Sequence, residues 1–233
     1  AGPAPNYFGG AYGWANDEVN KGNTDFAYVL DEHLYMEPQW FLDNDHIYDD
    51  YRTKYPVTDT IKVFAGEYAA HTTITDEVGK KNNVESAIAE AAFMTGMERN
   101  ADVVFMSALA PLFCNYNCRN WSPNMIWCDE TGSHTTPNYY VQQMYMQNNG
   151  SYTLKNDVKS AEKSYQSVSY DEKTGDVIVK LVNPYDYDVK TKINLDSSLA
   201  MTGEVTQILL TNEDKFAKNS MEQPDNVTLE ETS

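Results

Sequence analysis

Residues 61–70 read "IKVFAGEYAA", an apolar run that delivers a single carboxylate, Glu67, and then closes on alanines. A short continuous apolar run, without strict alternation, is the pattern of a strand covered on both faces, as in a parallel sheet under helices. Two more segments have this texture: "FAYVLDEHLY" at 26–35 and "DVVFMSALAPLF" at 102–113, both running into polar residues. The stretches between them are predicted as helices. In "EPQWFLDNDHIYDDYRT" (37–53), Pro38 suits a first turn, and Trp40, Phe41, Ile47, Tyr48 and Tyr51 recur at roughly helical spacing. In "NVESAIAEAAFMTGMERN" (83–100), Val84, Ile88, Ala91 and Ala92 share one stripe, with acids near the start. Strand, helix, strand, helix, strand predicts parallel βα units. In a barrel of such units the C-terminal strand ends carry the chemistry.

Glu67 stands at such an end, behind the small pair Ala65-Gly66 that lets a substrate approach the backbone. A carboxylate there can attack an anomeric carbon or hold a proton. It can equally be an N-cap or a salt-bridged acid, and spacing alone leaves these readings open. His33 and Tyr35 are two apart on one strand, so their side chains share a face. A histidine beside a glutamate can hydrogen-bond it and keep it ionised, or can be purely structural.

Downstream, "NMIWCDE" (124–130) reads as a short strand and "TPNYYVQQMYMQNN" (136–149) as a helix, while the Gly- and Asn-rich "GGAYGWAN" (9–16) reads as a loop with at most a turn of helix. "HTT" at 71–73 and "SHTT" at 133–136 read as loops without an assigned role. Near residue 150 the texture changes. Residues 160–195 alternate polar and apolar around the turns "EKTG" and "NPYD", and "EVTQILLTN" (204–212) is a further strand. This predicts an antiparallel β-sandwich over 151–233, following an α/β part over 1–150, with the boundary at about 148–156.

Composition bounds the function. The 233 residues carry a formal net charge of −18, which repels nucleic-acid phosphates and anionic lipid. No apolar run approaches the ~20 residues of a membrane span, and "AGPAPNYFGG" (1–10) has no signal-peptide pattern. Neither a nucleic acid nor a membrane is expected as a partner. Seventeen tyrosines, 4 tryptophans and 8 phenylalanines serve either packing or the stacking of sugar C–H faces. Cys114, Cys118 and Cys128 are too few for a four-ligand metal site, and no histidine pattern completes one. They are expected as reduced thiols, or with Cys114–Cys118 bridged in an oxidising compartment. Two glycosylation sequons stand at Asn149 and Asn226. No nucleophile elbow with Ser-His-Asp order and no phosphate-cradling glycine loop is present.

"DEHLYMEPQWFLDNDHIYDDY" (31–51) followed by "KVFAGEYA" (62–69) closely resembles the α-L-arabinofuranosidases of glycoside hydrolase family 51. So do "SALAPLF" (107–113), "NWSPNMIWCD" (120–129) and "TPNYYVQQM" (136–144). The resemblance runs nearly end to end. It implies a fold class of α/β, the C-terminal part of a (β/α)8 TIM barrel followed by an incomplete antiparallel β-sandwich. It implies that Glu67 is the nucleophile at the end of the seventh strand, and that His33 and Tyr35 line its pocket, with Asn115 and Trp121 close by. The family's acid/base is a glutamate in an Asn-Glu pair ending the fourth strand, and that segment has no counterpart here. "AGPAP" (1–5) resembles the stretch after the fifth strand, and "NSMEQPDNVTLEETS" (219–233) the approach to the last sandwich strands.

The implied reaction is retaining hydrolysis of terminal non-reducing α-L-arabinofuranosyl residues, with no metal or cofactor, on plant cell-wall polysaccharide or arabino-oligosaccharide. The chain alone is expected to be inactive for want of the acid/base. Its protein partners would be further copies of itself or the missing N-terminal portion of the same enzyme. A secreted location is expected from a polymeric substrate and an acidic surface. The competing expectations are another retaining glycosidase of the barrel clan (a β-xylosidase or endoglucanase), a non-catalytic carbohydrate-binding fragment, and a scaffold that has lost the chemistry.

Overall fold

The computed structural model describes residues 10–71, 82–195 and 203–233. The first helix, α1 (Gly10–Asn20), occupies much of the stretch expected to be a loop. Its glycines are outweighed by tertiary anchoring: Tyr12 is fully buried, and its phenol donates to Leu30 O at 3.2 Å and Lys62 O at 2.7 Å. Those carbonyls belong to the starts of two neighbouring strands, β1 (Val29–Met36) and β2 (Lys62–Ala70).

The expected helix over 37–53 is two short pieces, α2 (Pro38–Asp43) and α3 (Tyr51–Lys54), with turns between them. Asn44 ends the first, its backbone N–H and its side-chain amide both donating to Trp40 O. Asn and Asp side chains compete in this way with helical bonding, and 43–50 is rich in them.

Helix α4 (Val84–Arg99) matches its expected span. Asn83 caps it, accepting from Ser86 N at 2.9 Å while Ser86 Oγ accepts from Asn83 N at 3.1 Å. Small residues let it be buried on nearly every side. At Gly96 a Cβ would lie 1.7 Å from the backbone oxygen of Asp45.

Strand β3 (Val104–Leu109) completes a three-stranded parallel sheet in the order β1-β2-β3. Parallel pairing of the three apolar segments is as the sequence predicts. Two details differ. The third strand ends at Leu109, before the proline. Phe105 and Met106 are exposed, so β3 is not covered on both faces. The chain then forms a small second sheet from β4 (Phe113–Asn115), β5 (Ile126–Cys128) and β6 (Ser133–Thr135), and enters α5 (Pro137–Gln147). The "SHTT" stretch therefore has structural work. His134 lies on β6, and Thr136 caps α5 by accepting from Tyr139 N. Of "HTT", only His71 falls among the described residues.

The C-terminal region is antiparallel, as alternation predicts. One sheet holds β7 (Tyr152–Thr153), β8 (Tyr165–Tyr170) and β9 (Val177–Val182); another holds β10 (Gln207–Leu210) and β11 (Leu229–Thr232). The first of these rests on α4, where Glu98 accepts from Ser167 and Lys180. Among the described residues no helix is long and apolar enough to cross a membrane.

Candidate active site

The registers around Glu67 explain how an apolar strand presents an acid. Between β1 and β2, Asp31 pairs with Phe64 and His33 with Glu67, so three steps along β2 match two along β1. Between β2 and β3, Ala65 pairs with Ser107 and Tyr68 with Leu109, the same slip on the same strand. Strand β2 therefore carries one extra residue at Gly66–Glu67 relative to both neighbours. Such a bulge breaks the in-out alternation and re-aims a side chain, here Glu67. Gly66 suits it: its N–H donates to Asp31 Oδ1 at 3.1 Å, and a Cβ there would sit 2.2 Å from that oxygen.

Around the carboxylate, Tyr35 Oη donates to Glu67 Oε2 at 2.9 Å. His33 Nδ1 lies 3.3 Å from the same oxygen, and His33 Nε2 lies 2.6 Å from Asp31 Oδ2. An imidazole between two carboxylates donates to both only as imidazolium; the neutral ring donates to one. Burial, reinforced by the hydrogen bond to Glu67, pushes the Tyr35 phenol well above its usual range, so it stays a proton donor in this pair. The Glu67 side chain remains 43% exposed, open to a substrate.

Trp121 closes one side. Its ring meets Tyr35 edge-on, with centroids 5.6 Å apart, and it is half exposed. His71 flanks Tyr35 on another side at 6.5 Å. Four of the five expected site residues, Glu67, His33, Tyr35 and Trp121, thus form one contact group. The fifth, Asn115, does not join it. It ends β4 in the second sheet, and its side-chain oxygen accepts from Asn117 N at 2.8 Å, capping a 3₁₀ turn at Tyr116–Cys118.

Sequence reading missed Asp31, which orients His33 and is bonded to the bulge glycine. It lies two residues before His33 on the same strand, the same spacing that singled out Tyr35. Glu90 was also missed. It is a fully buried acid on α4 whose Oε1 accepts from Ala70 N at 2.8 Å and whose Oε2 accepts from Asn138 Nδ2 at 2.7 Å. Burial pushes its pKa up to about 8 against the pull of those two bonds. An Ala-rich helix stripe hides such a residue, because a glutamate between alanines reads as a solvated face.

The three thiols are free, and among the described residues no cluster of His, Cys, Asp and Glu could hold a metal ion.

Comparison with known proteins gives this geometry its context. A family model described as the α-L-arabinofuranosidase C-terminal domain matches residues 66–233. An extracellular exo-α-L-arabinofuranosidase of Streptomyces chartreusis is 41% identical over 122 residues, 52% of this chain and 13% of that protein. α-L-Arabinofuranosidase 2 of Arabidopsis thaliana is 28% identical over 209 residues, 88% of this chain and 30% of its own length. The chain therefore spans less than a third of these relatives.

Among solved structures, the α-L-arabinofuranosidase of Thermotoga maritima in complex with arabinose superposes with a TM-score of 0.65 at 15% identity, covering 93% of this chain and 50% of that one. The family 51 arabinofuranosidase of Xanthomonas axonopodis pv. citri gives 0.67 at 17% identity, covering 95% and 51%. At these identities the superpositions speak for the fold. With the family match covering Glu67 and everything after it, the chain belongs to the α-L-arabinofuranosidases of glycoside hydrolase family 51, of which it carries the C-terminal part.

Proposed function

We propose that this chain supplies the nucleophile, Glu67, of a retaining glycosidase that removes terminal non-reducing α-L-arabinofuranosyl residues. The observation that carries the reading is the Tyr35–Glu67–His33 contact, in which both polar partners converge on Oε2 at the bulge of a parallel strand that runs on three residues to Ala70 rather than ending at Glu67. With Oε2 held, Oε1 is the oxygen turned to the anomeric carbon. The carboxylate attacks as the leaving oxygen is protonated. Water then cleaves the glycosyl-enzyme ester as the second carboxyl group takes its proton, and configuration is retained.

That second group belongs to a segment outside this chain, so residues 1–150 are read as the last part of a barrel and 151–233 as its accompanying sandwich. The open edge and exposed Phe105 and Met106 of β3 fit a sheet continued by further strands. The 233-residue chain is accordingly expected to be inactive alone, and its polymer substrates would be arabinose-containing polysaccharides met outside the cell. The extracellular Streptomyces relative supports that location.

The test uses the longer enzyme that contains this chain. Glu67→Gln should reduce kcat on an aryl α-L-arabinofuranoside by at least about 10³-fold, about 4 kcal/mol of transition-state stabilisation. Glu67→Ala should regain turnover with azide and release the inverted glycosyl azide. A Glu67→Gln enzyme that keeps wild-type kcat, or azide rescue giving the retained product, refutes the assignment.

A further inference from the structure

Trp121 reaches Tyr35 from a loop with little regular structure, between the 3₁₀ turn ending at Cys118 and β5. What holds that loop is a run of buried amides. Asn124 Nδ2 donates to Trp121 O at 2.7 Å, and Asn124 N donates to Asn82 Oδ1 at 2.9 Å. Asn82 Nδ2 donates to Asn138 Oδ1 at 3.2 Å, and Asn138 Nδ2 donates to Glu90 Oε2 at 2.7 Å. Glu90 Oε1 accepts from Ala70 N at 2.8 Å. None of Asn124, Asn82, Asn138 and Glu90 is more than 2% exposed.

The amide orientations follow from the ends of the run. A backbone N–H can only donate, so the Asn82 atom facing Asn124 N is its oxygen, and its nitrogen must face Asn138. The oxygen of Asn138 then faces Asn82 and its nitrogen faces the carboxylate. From Asn124 N onward each donor points toward Glu90, while Asn124 Nδ2 points the other way, to Trp121 O; Glu90 is tied to Ala70, three residues beyond Glu67 on β2. The nucleophile strand and the Trp121 loop are joined through one buried line, in which each broken link would leave a polar group unpaired away from water.

We propose that Asn82 is a positioning residue: it is the buried joint through which the Glu67 strand fixes Trp121, and so sets the aromatic wall that a sugar meets beside the nucleophile. This rests on the reading of Glu67 and Trp121 given above. Asn82 touches neither ring nor carboxylate and acts only through the loop.

A residue that acts only through Trp121 costs nothing further once that ring is gone. In the longer enzyme, Trp121→Ala and Asn82→Ala should each raise KM for an aryl α-L-arabinofuranoside about tenfold with kcat within about twofold. The double variant should match Trp121→Ala alone. Asn124→Ala, which removes only the grip on Trp121 O, should shift KM in the same direction by less, and it serves if Asn82→Ala does not fold. Additive losses, or an Asn82→Ala and an Asn124→Ala enzyme with wild-type KM beside an impaired Trp121→Ala, overturn the proposal and leave the glycosidase reading intact.

A second measurement is independent of activity. In the 233-residue chain labelled with 5-fluorotryptophan, the resonance assigned to Trp121 by Trp121→Phe should move or broaden in Asn82→Ala. An unmoved resonance overturns the proposal even if the enzyme reading stands. No turnover by the wild-type enzyme, with the resonance moved, defeats the enzyme reading and keeps the coupling.

Discussion

At the scale of single residues, the candidate site is a carboxylate, Glu67, whose polar partners His33 and Tyr35 lie on one neighbouring strand. Glu67 was legible because an acid closing an apolar run is chemically conspicuous, and His33 and Tyr35 because their spacing puts them on one face. Asp31 shares the spacing that singles out Tyr35, but its bond to Gly66 depends on a bulge in the neighbouring strand that its own segment does not reveal. Asn115 shows a different case: the family resemblance puts it close to Glu67, while in the structure its side-chain oxygen accepts from Asn117 N and caps a 3₁₀ turn. The bulge makes Gly66 and Asp31 one unit. A Cβ at Gly66 would sit 2.2 Å from Asp31 Oδ1 and 2.8 Å from Phe64 Cε1, so the flexible carboxylate must leave its place against His33. Gly66→Ala and Asp31→Asn should therefore lower kcat in the longer enzyme by similar factors, on the order of tenfold each for one lost charged hydrogen bond. The double variant should be little worse than either. Multiplied losses in that double variant would separate the two residues and remove Asp31 from the site.

At the scale of elements, periodicity located α4, the three parallel strands and, of the antiparallel C-terminal strands, β8, β9 and β10; it missed β7 and β11 and failed where tertiary contacts or local side-chain bonding decide. Tyr12 holds α1 against two strand carbonyls, and polar residues divide 37–53 into two short helices. The placing of α4 depends on a residue that propensity scales count against it. Gly96 costs a helix interior about 1 kcal/mol relative to alanine, yet the backbone oxygen of Asp45 occupies the space of its Cβ, at 1.7 Å. The blocking atom is backbone and cannot swing aside. The turn it belongs to is also pinned, because Arg99 and Lys163 both pair with the buried Asp45 carboxylate. Overpacking should outweigh the gain in propensity. Gly96→Ala is expected to lower the unfolding free energy by about 1–3 kcal/mol, read as a lower urea midpoint at unchanged slope. A variant as stable as the parent would mean that α4 and the 44–50 turn can separate freely.

At the scale of the whole molecule, the parallel sheet, α4 and α5 meet around one acid that burial pushes toward its protonated form. Composition gave no hint of this, because 35 acidic against 17 basic residues read as solvated surface charge and single out no buried acid. Glu90 has its pKa raised from 4.5 to about 8, with burial the dominant cause and the bonds from Asn138 and Ala70 opposing it. Tyr68 is the titratable group facing it, and its phenol is itself pushed above its usual range, so it does not ionise in this window. Between about pH 4.5 and 8 the folded chain binds a proton at Glu90 that the unfolded chain has released. The sign of the linkage then makes stability greatest below about 4.5 as far as this group is concerned, and lost progressively as pH rises toward 8. Repulsion among surface carboxylates acts in parallel, but it is common to any variant that leaves the surface alone. Glu90→Gln removes the titration while keeping the side chain's shape. Subtracting its unfolding free energy from that of the parent should leave a difference that declines from pH 5 to pH 8 and then flattens. Whatever the substitution costs through the altered bond to Asn138 displaces that difference by a constant and leaves its slope. Parallel curves would mean that Glu90 enters the fold already ionised, with its two N–H donors outweighing the loss of water.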